Sequence, residues 1–95
     1  MGVQFGYRVE QYNASYEQLE RTALLAEELG FDGIWLNDHF MPDPISGRYD
    51  LPALECWTTA GALARATSRV RIGFMVLCNG YRWPAITAKM ATTLD

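Results

Sequence analysis

The sequence is short of the features by which many small functional modules are recognised. It has one histidine, His39, and two cysteines, Cys56 and Cys78, which lie far apart and form no Cys-x-x-Cys pair. So few ligands cannot build an ordinary zinc site, and no metal is expected. Unpaired thiols at that spacing point to a reducing cytoplasm. Neither standard pattern of glycine-rich phosphate loop occurs. There is no basic stripe interleaved with aromatics, and the formal net charge is -3. Both facts argue against nucleic acid or an anionic membrane surface as the main partner. No apolar run approaches a membrane span. The first residues lack the basic segment and apolar core of a secretion signal.

What is present reads as a folded chain. Of its 95 residues, 49% are hydrophobic and 20% charged, enough for a modest core. Gly33-Ile34-Trp35-Leu36 is too short for a helix and is bounded by glycine and polar residues, so it is expected to be a strand buried on both faces. It ends abruptly in Asn37-Asp38-His39. In parallel α/β folds the carboxyl ends of the strands are where ligands are held and chemistry is done. A lone histidine beside a carboxylate at that place is a candidate for chemistry.

The rest of the chain alternates around this stretch. Residues 3–8 suggest a first strand, with Gly6 allowing close backbone approach, and residues 10–14 a polar loop. Ser15-Tyr16-Glu17-Gln18 is a capping box. It opens a helix whose inner row is Tyr16, Leu19, Ala23, Ala26 and Leu29 and which Gly30 closes. Residues 31–36 form the second strand. Residues 40–51 are a loop rich in proline and glycine, long for a strand-to-helix link, and either a lid or a plain connection. Pro52 suits a helix start, with Leu54, Trp57, Gly61, Ala64 and Leu63 facing inward until Thr67-Ser68. Residues 70–77 are nearly all apolar and read as a third strand covered on both faces. A loop over residues 78–83 leads to Pro84 and a third helix with Ile86, Met90 and Leu94 in one row.

The order β-α-β-α-β-α calls for a parallel sheet with right-handed connections. Three such strands leave hydrophobic, unpaired edges. The expected fold is therefore α/β, the first three βα units of a TIM (β/α)8 barrel, which as a whole takes ~250 residues, or else a small piece that must dimerise.

The residues also carry a resemblance. Ala26-Glu27-Glu28-Leu29-Gly30-Phe31-Asp32-Gly33-Ile34-Trp35 followed by Asp38-His39-Phe40 resembles the bacterial luciferase-like family. So do Leu54-Glu55 with Trp57-Thr58-Thr59, Leu63-Ala64 with residues 66–73, and Tyr81-Arg82, Pro84, Ala88-Lys89-Met90-Ala91 and Thr93-Leu94-Asp95. The match runs through nearly the whole chain in order, so residues 1–95 are expected to be the N-terminal portion of a luciferase-like barrel domain. The resemblance implies a TIM-like barrel that binds a flavin or deazaflavin. The Asp-His-Phe form is most similar to the branch that uses the 5-deazaflavin coenzyme F420, with flavin mononucleotide (FMN) monooxygenases as the alternative.

Carried over by the resemblance, His39 is the active-site histidine, the general acid or base for hydride transfer to or from a small organic substrate, a role histidine suits near neutral pH. Asp38 helps shape the cofactor pocket. Met75-Val76 falls where the family often has a non-prolyl cis peptide behind the cofactor ring. Asn79 and Arg82 lie where cofactor contacts are expected, and Trp83 stands where a histidine is frequent. The full-length protein is expected to be a homo-oligomer, and the 95-residue chain alone inactive or a non-catalytic half-barrel that needs a partner. Plainer roles stand beside these: His39 as a strand-end cap, Asp38 and Asn79-Gly80 as turn formers, Arg82 as a surface arginine, Cys56 and Cys78 as small buried groups, and Trp35 and Trp57 as packing.

Overall fold

The computed structural model describes residues 2–42 and 47–95. Part of the long loop that suggested a lid, residues 43–46, lies outside the described residues. The elements are β1 (Gly6–Arg8), α1 (Tyr16–Glu28), β2 (Gly33–Leu36), α2 (Cys56–Ala66), β3 (Arg71–Phe74) and α3 (Pro84–Leu94). The strands form one parallel sheet in the order β1-β2-β3.

α1 begins and ends as its residue types require. The Ser15 hydroxyl accepts from the Gln18 N–H at 3.3 Å, and the Gln18 side chain accepts from the Ser15 N–H at 2.8 Å. At the other end Gly30 sits at φ +89°, a conformation glycine adopts at no steric cost. Gly30 N–H reaches the Glu27 carbonyl and Phe31 N–H the Ala26 carbonyl, the paired bonds of a Schellman cap. Leu19, Ala23 and Ala26 are buried, Tyr16 packs at the edge of the core, and Leu29, expected inside, is 68% exposed. As the cap residue it has already left the inner row. The second strand starts at Gly33 rather than residue 31, because Phe31 completes the cap. Its ring turns back on Tyr7, edge to face at 5.8 Å.

The second helix does not start at Pro52. Residues ahead of it run extended: Ala53 bridges Tyr12 antiparallel, Asn13 N–H donates to the Pro52 carbonyl and Leu54 N–H to the Gln11 carbonyl. α2 begins at Cys56, capped by Glu55, whose carboxylate accepts from the N–H groups of Trp57 and Thr58. Its buried row is Cys56, Trp57, Thr59, Ala60 and Leu63. Gly61 is exposed and Ala64 half-buried, so the inner face lies one residue away from the row expected from Leu54.

Sheet register separates two faces. Val9, Ile34, Leu36, Ile72 and Phe74 join the core beneath α1 and α2. Gly6, Arg8, Gly33, Trp35, Arg71 and Gly73 alternate with them on the other face, as a period of two demands. Trp35 lies flat across that open face. A methyl group at Gly6 would come within 1.9 Å of its Nε1, and one at Gly73 within 2.4 Å of its Cζ3. Both glycines therefore make room for one indole. Among the described residues nothing else covers this face and Trp35 stays 39% exposed, so β2 is not buried on both faces as expected. β3 is likewise only half-buried. It ends at Phe74 instead of running to residue 77. The Met75–Val76 peptide bond that follows is cis, at the position the resemblance implied. α3 opens on Pro84 but buries no residue. Met90 and Leu94 touch the core, while Ile86 is exposed. No described helix is long and apolar enough to cross a membrane.

Candidate active site

The strands run parallel, so the segments that leave β1, β2 and β3 share one end of the sheet. A layer of paired polar groups sits there, with an unburied layer outside it. Gln11, 1% exposed, is the first member of the inner layer. Its side-chain oxygen accepts from Asn37 N–H at 2.5 Å and its amide donates to the Leu54 carbonyl at 3.0 Å. It thereby ties the exit of β2 to the segment ahead of α2. The carboxamide of Asn37, 2% exposed, lies between the Met75 carbonyl and Arg8 Nη1; with its nitrogen turned to the carbonyl it donates at 2.7 Å and its oxygen accepts from Arg8 at 3.2 Å. Met75 N–H in turn donates to the Leu36 carbonyl. The exits of β2 and β3 are thus fastened side by side.

Asp38 is the centre of the layer. It is 5% exposed, and both its oxygens are used. Arg82 Nη1 and Nη2 donate to it at 2.6 and 2.8 Å, and Cys78 N–H at 2.9 Å. The Cys56 thiol donates to Oδ1 at 3.5 Å. The same guanidinium donates to Glu55 at 2.9 Å. Hydrogen bonds from Arg82 hold the Asp38 carboxyl below its usual range, against burial. Those bonds also push the Arg82 guanidinium up, so it stays charged. Burial would raise the Glu55 carboxyl, but the amides of Thr58 and Trp57 and the Arg82 guanidinium outweigh it and the net shift is down. The Cys56 thiol is pushed up to about 12, first by burial and then by the Asp38 charge. It is therefore a neutral thiol and no nucleophile. Oxygen and sulfur atoms of Asp38, Glu55 and Cys56 lie within 4.8 Å of one another, but the cation they hold is Arg82.

The outer layer is different in kind. His39 is exposed, its ring edge-on to Tyr12 at 6.3 Å. Phe40 stacks on Tyr81 at 4.0 Å and 15°, joining the loops after β2 and β3. Met75 and Val76 are 51% and 67% exposed. Asn79 lies exposed in the turn that Tyr81 N–H closes on the Cys78 carbonyl. The structure therefore brings all six residues singled out from sequence to one end of the sheet. It joins Asp38 directly to Arg82, and leaves His39, Met75, Val76 and Asn79 open to solvent. Gln11 and Glu55 were not singled out. No local pattern marks Gln11, and Glu55 was hidden because Pro52 placed it inside the expected helix instead of ahead of it.

The carboxyl end of the sheet thus presents an exposed imidazole and an exposed apolar pair over a layer of saturated polar groups. The luciferase-like monooxygenase family model matches residues 2–95. An F420-dependent glucose-6-phosphate dehydrogenase of Microbacterium testaceum (strain StLB037) is 37% identical over 93 residues, which is 97% of this chain and 27% of that protein. Its counterpart in Amycolatopsis mediterranei (strain U-32) is 39% identical over 90 residues, 88% of this chain and 26% of that protein. The solved structure of an F420-dependent secondary alcohol dehydrogenase, in complex with an F420-acetone adduct, superposes with a TM-score of 0.81 at 28% identity, covering 99% of this chain and 28% of that one. The chain thus spans roughly a quarter of the length of these relatives.

Proposed function

The chain belongs to the luciferase-like monooxygenase family, and from that premise we propose that it forms the N-terminal βα units of a TIM-barrel oxidoreductase that moves a hydride between coenzyme F420 and a small organic substrate. The observation that carries this reading is that exposed His39 and the exposed Met75 and Val76 all lie just past the carboxyl ends of adjacent strands. The names of the relatives favour F420 over FMN.

When bound, the deazaflavin supplies a ring carbon that accepts or gives up a hydride. Met75 and Val76 offer the apolar surface on which such a ring would rest, and Asn79 an amide at its rim. Asp38 and Arg82 stand behind that wall. His39 holds or moves one proton at an imidazole nitrogen. It takes the proton when a substrate hydroxyl loses hydride from its carbon, and returns it when the carbonyl is reduced. The open face of Trp35 is then the inside of the barrel, where side chains of further strands would cover it.

The test is a pair of titrations of the protein carrying these residues, with F420 and with FMN, each followed by fluorescence. F420 is expected to bind at least tenfold more tightly, about 1.4 kcal/mol or more. Tight binding of FMN alone would make the protein a flavin monooxygenase of the same family and overturn the F420 reading. Binding of neither would favour the non-catalytic half-barrel.

A further inference from the structure

From the bonds that meet at Arg82 we infer that this arginine is a positioning residue, which acts on the site through Asp38 and not by touching cofactor or substrate. The inference rests on the function proposed above for its kinetic consequence, though not for its geometry.

Arg82 lies in the segment between β3 and α3, yet its guanidinium is spent on two other elements. Two nitrogens go to Asp38, at the exit of β2, and one of them also to Glu55, the cap of α2. Its side chain is 14% exposed and that of Asp38 2%, so the bonds to Asp38 form with little competition from water, while the one to Glu55, whose side chain is 40% exposed, lies at the wet edge. Asp38 immediately precedes His39. It also accepts from Cys78 N–H, two residues beyond Val76. One guanidinium therefore sets where the chain carrying His39 stands relative to the chain carrying Met75 and Val76. The fork geometry matters. Arg presents parallel N–H groups that match a carboxylate and still reach a second acceptor, whereas a lysine ammonium is a point charge on a flexible stem. Both faces of the pair are occupied: Asp38 has Arg82, Cys78 and Cys56, and Arg82 has Asp38 and Glu55. Neither has a strong reason to leave its partner for a ligand.

Displacing a reacting group by about 1 Å can cost 100-fold in rate, so the effect belongs in turnover. The experiment compares Arg82→Lys and Arg82→Met with the unaltered protein in three readouts: F420 affinity, hydride-transfer rate under saturating F420, and amide hydrogen exchange without cofactor, resolved by peptide. Both variants are expected to lose roughly 10- to 100-fold in rate while F420 affinity changes by less than about threefold, under 0.7 kcal/mol. Exchange is expected to speed up together in the peptides holding residues 37–41 and 77–81, with α1 unchanged. Lysine should not rescue. Four results would overturn the inference. One is an unaltered rate in Arg82→Lys, which would leave only the charge as important. Another is weakened F420 binding at an unchanged rate, the mark of a direct contact. The third is faster exchange around residue 82 alone, and the fourth is faster exchange in α1 as well, the mark of general destabilisation. If the unaltered protein neither binds nor reduces F420, the function proposed above fails, and the exchange readout still decides whether Arg82 holds the two segments.

Discussion

Two carboxylates at opposite ends of the sheet do similar work by different means. Glu27, in the last turn of α1, accepts from the N–H groups of Ser68 at 3.0 Å, Arg69 at 2.5 Å and Val70 at 2.9 Å. It pins the turn that feeds the amino end of β3, and the Arg69 guanidinium returns a bond to the Glu27 carbonyl. Asp38, at the carboxyl end, gathers Arg82, Cys78 and Cys56. Glu27 binds one continuous run of backbone and can fix only the path of that run. Asp38 binds a guanidinium that it shares with Glu55, so it draws together β2, α2 and the segment before α3. The first arrangement is exposed and local, the second buried and joins distant segments. In barrel folds the amino-terminal face serves stability and the carboxyl-terminal face chemistry, and under the function proposed above the two carboxylates would divide along that line.

The sharpest way to test that division is to remove the group that should carry the chemistry. His39→Ala is expected to slow hydride transfer about 10²- to 10⁴-fold, the range for a lost general acid or base, with Tm and F420 affinity little changed because His39 is exposed. Pre-steady-state absorbance of the cofactor and a thermal melt check both halves. Equal losses of folding and of affinity would make His39 a strand cap and break the comparison. Asp38→Ala should act on both sides at once. It leaves a largely buried guanidinium with only half-exposed Glu55 as a carboxylate partner, so the loss should approach, without exceeding, the ~3–5 kcal/mol of breaking a buried pair. Urea unfolding measures that loss. A cost under about 1 kcal/mol would place the pair among ordinary surface bridges.

Between the two ends lies a position that should affect stability alone. Gly73→Ala would put a methyl group 2.4 Å from the Trp35 ring. Forcing an extra methyl into such a contact costs about 1–3 kcal/mol. Gly73→Ala combined with Trp35→Leu, which empties the space, should recover part of that. If the double variant is as unstable as the sum of the singles, Trp35 and Gly73 are not coupled in the way their contact implies.

How much of this was legible from the residues follows from the distance over which each feature is decided. The α1 caps at Ser15, Gln18 and Gly30 were readable because every partner lies within a few residues. The element order and the placing of Asp38 and His39 at a strand end were readable from apolar runs and their punctuation. The cis bond at Met75–Val76 was readable through resemblance alone. Pro52 misled because its local preference for a helix start is real, but the bridge from Ala53 to Tyr12 holds that segment extended. Trp35 misled because a short apolar run looks the same whether it is covered on both sides or on one. The pairing of Asp38 with Arg82 spans 44 residues and that of Gln11 with Asn37 spans 26, and no pattern along a chain announces such pairs.

The smallest effect expected is at Glu27, and acid reveals it. Amides of Val70 and Arg69 hold its carboxyl below the usual value of 4.5, so the folded state favours the charged form. A carboxyl depressed in this way contributes stability that is fully present above 4.5 and is lost as pH falls through the lower folded value. Asp38, depressed from 3.8 chiefly by Arg82, has the same sign and loses its contribution as pH falls below 3.8 through its own lower folded value. Glu27→Gln should therefore lower Tm modestly at pH 7, leave turnover and F420 affinity unchanged, and converge on the unaltered protein as both are melted at pH values falling below 4.5. Asp38→Asn should lose turnover at every pH. A Glu27→Gln variant that kept its Tm but lost turnover would mean that the turn before β3 reaches the active end after all, and the two carboxylates would no longer stand for separate duties.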